Sequence, residues 1–90
     1  MPTATLPRSW NQLADDTVAL AKLAVSVGSR SARTVHAHAK KALRAGVDPA
    51  ALRQIAMVAL PTIGLPAAMD ALKWIDESIR EQGETKRRSA

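Results

Sequence analysis

The chain is expected to be all-α, a four-helix domain that associates into an oligomer. Apolar residues recur at helical spacing through most of the sequence, and no stretch shows the alternate-residue pattern of a strand. Gly and Pro punctuate the chain between the periodic segments, where helix ends are expected.

Residues 1–8 hold Pro2 and Pro7 and no periodicity, so they read as an extended arm that could wrap a neighbour. From Ser9, a candidate N-cap, the residues Trp10, Leu13, Val18, Leu20, Leu23, Ala24 and Val27 follow the helical period. Gly28 and Ser29 are expected to break this first helix. A second helix fits residues 31–45, with Gly46 where a left-handed closing residue usually sits. Asp48 and Pro49 then form a strong start signal. The carboxylate can accept from free N–H groups, and proline fits the first helical position, where no donor is needed. Leu52, Ile55, Ala56 and Ala59 line one face of this third helix. Pro61 is expected to end or kink it, because proline removes a helix hydrogen bond, and residues 62–64 form a short connection. Pro66 opens the fourth helix, with a stripe of Met69, Leu72, Ile75 or Asp76, and Ile79, interrupted by one charge at its margin, and Gly83 is expected to stop it. The helical domain therefore spans residues 9–83. Residues 84–90 are polar and basic, and are expected to be a disordered tail.

Composition explains why an oligomer is expected. Ninety residues lie near the lower limit at which one hydrophobic core stabilises a fold unaided. The chain has no cysteine, so no disulfide can help, and His36 and His38 are too few for a structural zinc site. No metal or other cofactor is expected. The residues are 47% hydrophobic but only 2% aromatic, which favours close helix contacts through Ala, Leu, Val and Ile. The start of the chain has no basic stretch followed by an apolar run, so the expected compartment is the cytoplasm. The longest uncharged stretch, between Arg53 and Asp70, contains Pro61, Gly64 and Pro66, which argues against a membrane span. The formal charge of +5 owes much to Lys86, Arg87 and Arg88, leaving a mildly basic domain.

The second helix carries the candidate chemistry. At about 100° per residue, Arg30, Arg33, Lys40, Lys41 and Arg44 share one basic stripe, opposite Val35, Ala39, Ala42 and Leu43. A solvated face is the ordinary meaning of such a stripe. Contact with nucleic acid is the alternative, since Lys and Arg neutralise phosphates, but no phosphate loop or aromatic stacking surface accompanies it. Ser31, Thr34 and His38 lie together on one margin of the helix, and His36 points towards the other. His38 is either a margin histidine bonded to a carbonyl or a general acid or base, the role imidazole most often takes in proton transfer. Asp15, Asp16 and Asp70 are candidates to orient its ring, although sequence cannot place any of them beside it.

The pattern His38, Ala42, Gly46, then Asp48 and Pro49, resembles the core signature of the carboxymuconolactone decarboxylase and AhpD-like (alkylhydroperoxidase-like) family. Gly64, Pro66, Ala67 and Ala68 resemble its second signature, a turn leading into the last helix, and residues 23–27 are similar to the helix preceding the active site. Together these cover most of residues 19–80. The resemblance implies small all-helical oligomers, here a homotrimer or homohexamer. In the AhpD-like branch a C-x-x-C-x-x-x-H motif works with an upstream glutamate. Carried over, the cysteine positions are Ser31 and Thr34, the glutamate position is Ala19, and only His38 keeps its chemistry. A hydroxyl cannot cycle through sulfenic acid and disulfide, so thiol peroxidase chemistry by that route is excluded. The decarboxylase branch needs no cysteine, and there the resemblance implies His38-dependent acid–base chemistry on a small organic acid or lactone. Against that branch, Thr62 stands where a tyrosine is common and Asp70 where an asparagine is usual. A non-catalytic binding or assembly protein of the same fold is the alternative, and a basic protein binding an acidic partner is a third.

Overall fold

The computed structural model describes residues 7–89. They form a short 3-10 turn, Arg8–Trp10, and four α-helices: α1 (Asp15–Ser29), α2 (Ala32–Arg44), α3 (Pro49–Ile63) and α4 (Leu65–Ser89). No strand occurs among the described residues. The proposed N-terminal arm lies outside them except for its last two residues.

Each helix packs against two others. α1 and α4 both rest on α2 and α3, so α1 and α4 form one diagonal of the bundle and α2 and α3 the other. The body is only 20 Å thin, the depth of two helix layers. At its centre lie Leu23 and Val27 of α1, Val35, Ala39 and Ala42 of α2, Leu52 and Ala56 of α3, and Ala68, Ala71 and Ile75 of α4. Half of this set is alanine, which lets the helix axes approach closely. The larger side chains contribute most, about 1.5–3 kcal/mol for each one fully buried.

The helix ends show how sequence sets the geometry. Ser31 caps α2 by accepting from the backbone N–H of Thr34. At the other end, the N–H of Gly46 bonds the Leu43 carbonyl and that of Val47 bonds Ala42, a closure that needs the positive φ of 92° at Gly46. Asp48 caps α3 by accepting from Ala50 at 2.8 Å, and Pro49 takes the first helical position. The ends at Gly46, Asp48 and Pro49 match the sequence reading, whereas Ser31, read as the first residue of the second helix, is its cap.

Elsewhere the structure corrects it. Ser9 caps no α-helix: the chain makes its 3-10 turn there, and α1 begins at Asp15, with Asp15 and Asp16 placed where acidic groups suit a helix N-terminus. Trp10 and Leu13 consequently fall outside α1, and both are exposed. Helix α1 runs past Gly28 to Ser29 and closes on Arg30, a non-glycine residue with φ of 60°. Pro61 does not end α3. It lies on the exposed side, where water can serve the carbonyl that lacks a donor, and the helix continues to Ile63. The true stop is Gly64, whose φ of 87° and ψ of 163° belong to a region nearly reserved for glycine. In α4 the buried stripe is Ala68, Ala71, Ile75 and Ser78, while Met69 is exposed. Nor does Gly83 stop α4. Residues 84–89, expected as a disordered tail, continue the helix to Ser89. One glycine costs only about 1 kcal/mol, and it is surrounded by good helix formers, with Lys86, Arg87 and Arg88 complementing the helix C-terminus.

Candidate functional site

Helix α2 presents its polar groups in two directions. Towards its N-terminus, Thr34 Oγ1 donates to Ser31 Oγ at 2.9 Å, and the Thr34 N–H reaches the same oxygen at 3.3 Å. The two hydroxyls thus meet directly and serve as the cap. The chain reaches this arrangement through the left-handed turn at Arg30, which redirects it from α1 into the extended Ser31.

His38 lies one helical turn beyond Thr34 and is half-buried. Its ring borders a depression of about 260 Å³ between α1 and α2, together with Leu13, Val18, Ala21, Lys22 and Val25. The walls are apolar apart from the Lys22 ammonium. None of Asp15, Asp16 and Asp70 orients the ring. Asp16 accepts from the Thr17 N–H at 2.8 Å, Asp15 lines a neighbouring depression, and Asp70 is exposed on α4. Ala19 packs against the core and borders the depression that Asp15 lines.

The histidine that does meet a carboxylate is His36. Its Nε2 lies 3.2 Å from Glu77 Oε1, and its Nδ1 lies 3.0 Å from the hydroxyl of fully buried Ser78. Ser78 also donates to the Trp74 carbonyl at 3.0 Å. One hydroxyl proton cannot serve both neighbours, so two arrangements fit. A neutral ring protonated at Nε2 donates to Glu77 and takes the Ser78 proton at Nδ1. An imidazolium donates on both sides and leaves the Ser78 proton to Trp74. Either way both ring nitrogens are engaged within the protein. This resembles a Ser–His–Glu triad only in connectivity, because a hydroxyl with no exposed surface offers no access to a substrate.

One turn along, Lys40 Nζ pairs with Glu81 at 2.6 Å. That hydrogen bond, helped by the lysine charge, holds the Glu81 carboxyl below the ordinary carboxylate range. His36 meets Glu77 and Ser78 while Lys40 meets Glu81, so α2 and α4 run in the same direction along this seam. The basic stripe read from the sequence is therefore divided: Lys40 turns to α4, and Arg33, Lys41 and Arg44 face solvent. Sequence reasoning missed these partners. The signal was present as matched four-residue spacings, His36 to Lys40 on one helix and Glu77 to Glu81 on the other.

A roomier depression of about 500 Å³ lies between the α2–α3 turn and α4, bordered by Leu43, Val47, Ile79 and Gly83. Its one carboxylate, Asp48, already caps α3. Among the described residues, no cluster of His, Asp or Glu is placed to hold a metal, and no helix is long and apolar enough to cross a membrane.

The described residues form a small all-helical domain of four helices, with a hydroxyl pair at the N-terminus of the second and a histidine one turn beyond. The model of the carboxymuconolactone decarboxylase family matches residues 4–77, and the chain belongs to that family, which includes AhpD-like members. No curated protein and no solved structure matches the chain.

Proposed function

We propose that this protein is a member of its family without thiol redox chemistry, which takes a small organic acid or lactone against His38 and uses that imidazole as its acid–base group. The observation that carries this reading is the position of the ring. His38 borders an apolar depression facing one ammonium group, Lys22, while Ser31 and Thr34 are closed on each other. An apolar wall excludes water from a bound ligand's body, the cation favours an acid or a polarised carbonyl, and an imidazole transfers protons near neutral pH. With no sulfur at positions 31 and 34, peroxide reduction by the family's thiol route has no reactant.

The test is turnover of a panel of small organic acids and lactones by the native protein and by His38→Ala, with light scattering to check assembly. Loss of turnover in the variant, with the assembly intact, is the expected result. Turnover at the native rate in His38→Ala overturns the reading.

A second reading, a non-catalytic assembly protein, is favoured by apolar side chains left uncovered on α1 and α3. Val25 is 75% exposed and Val58 is 62% exposed. Large apolar side chains left this exposed are candidates for an interface, and a homotrimer or homohexamer would cover them. Absence of turnover across the panel, together with a stable homo-oligomer, favours this reading. Binding to nucleic acid has weaker support, since Glu81 engages Lys40 of the basic stripe.

A further inference from the structure

The depression at His38 does not stand alone. A second one, of about 400 Å³, adjoins it along α1 and is bordered by Asn11, Asp15, Lys41 and Ala45. Val18 and Lys22 line both. Because these two residues are one turn apart on the same helix face, the depressions are two lobes of one cleft between α1 and α2. The lobe at His38 is walled by Leu13, Ala21 and Val25, and the other by Asn11, Asp15 and Lys41 together with Ala19 and Ala45. Each lobe is near the lower end of the volumes that small-molecule sites occupy, roughly 300–1,000 Å³.

Charge within the cleft is uneven. Lys22 stands at the junction and Lys41 in the polar lobe, and neither belongs to an ion pair among the described residues. Asp15 lines the polar lobe and offsets one of the two cations. What remains is a single uncompensated positive charge at one end of an apolar trough, suited to one anionic head and an apolar body. A dianion would bring a second negative charge into an apolar lobe, where no cation beyond Lys22 meets it.

We infer that the α1–α2 cleft binds an amphipathic monocarboxylate, its head held between Lys22 and Lys41 and its hydrocarbon body laid over Val18 towards His38. Lys22 and Lys41 are then binding residues, and chain length is the specificity. This rests on the reading of the His38 depression as a ligand site and narrows the ligand class to an acid with an apolar chain. Each methylene buried in the apolar lobe tightens binding about fourfold, the equivalent of about 0.8 kcal/mol.

The experiment measures binding of butyrate, hexanoate and octanoate to the full chain by NMR titration, with 1-octanol and adipate as controls. Octanoate is expected to bind tightest and to shift amides along residues 13–25 and 38–41. Octanol and adipate are expected to bind at least several-fold more weakly than octanoate. Lys22→Met and Lys41→Met keep the aliphatic stems and remove the charges. Each is expected to weaken octanoate roughly three- to tenfold, and less at high salt. No octanoate binding, no chain-length trend, or unchanged affinity in both lysine variants overturns the inference. The His38 reading fails separately, since it is judged by turnover in His38→Ala and not by octanoate affinity in the lysine variants.

Discussion

Thr34 Oγ1 donates to Ser31 Oγ across 2.9 Å, so the two hydroxyls at the start of α2 hold each other. The same Ser31 oxygen accepts the Thr34 backbone N–H, which ties the candidate site to the stability of α2. Ser31→Ala removes the acceptor and leaves an N-terminal donor of α2 without its cap. The expected cost is about 1 kcal/mol, read as a lower urea midpoint with an unchanged slope. Ser31→Asp, which keeps an acceptor, should stay close to the native midpoint. Equal losses in both variants would show that the cap contributes nothing.

Gly64 closes α3 in a conformation that a side chain rarely adopts, and a Cβ built there meets nothing within 4 Å. The cost of Gly64→Ala is therefore backbone strain and not a clash, about 1–3 kcal/mol. Gly83→Ala provides the contrast. That glycine lies inside a helix with open space around it, so alanine should raise stability by up to about 1 kcal/mol. Thermal melts of the two variants should move in opposite directions.

Glu81 gives the pH dependence a definite sign. Lys40 holds its carboxyl below the ordinary value, so folding favours the ionised form. The stabilisation is present at neutral pH, above the ordinary carboxylate value, and is lost as pH falls through the lowered folded value. In thermal melts at low salt, native protein should melt above Glu81→Gln near neutral pH, with the gap closing in acid. Because the pair is partly open to solvent, added salt should narrow the gap as well. A gap that widens in acid would contradict the pairing.

Local chemistry made much of this architecture legible in the sequence. Gly46, Asp48 and Pro49 mark helix ends through groups that act within a few residues, and the structure uses each as expected. The buried face of α2, with Val35, Ala39 and Ala42, followed from period alone. Features set by packing between distant segments were not legible. Whether Pro61 or Gly83 breaks a helix depends on what surrounds it: Pro61 lies on the exposed side of α3, and Gly83 is flanked by good helix formers. Met69 fits the helical period of α4, yet the neighbouring helices cover Ala68 and Ala71 instead. His36 finds Glu77 and Ser78 across more than forty residues of chain, a pairing that needs the relative placement of α2 and α4. In the candidate site, the margin shared by Ser31, Thr34 and His38 was legible, but the lining of the depression by Lys22 was not, because α1 had first to be laid beside α2.

If the N-terminus of α2 holds positions 31 and 34 as the family's thiol pair is held, restoring sulfur should restore the bond between them. Ser31→Cys/Thr34→Cys, fully reduced and then given one equivalent of hydrogen peroxide, provides the direct measurement by thiol titration and intact mass. The expected result is loss of both thiols together in an intramolecular disulfide, with the peroxide reduced to water. Thiols that persist, or that link separate chains instead, would contradict it.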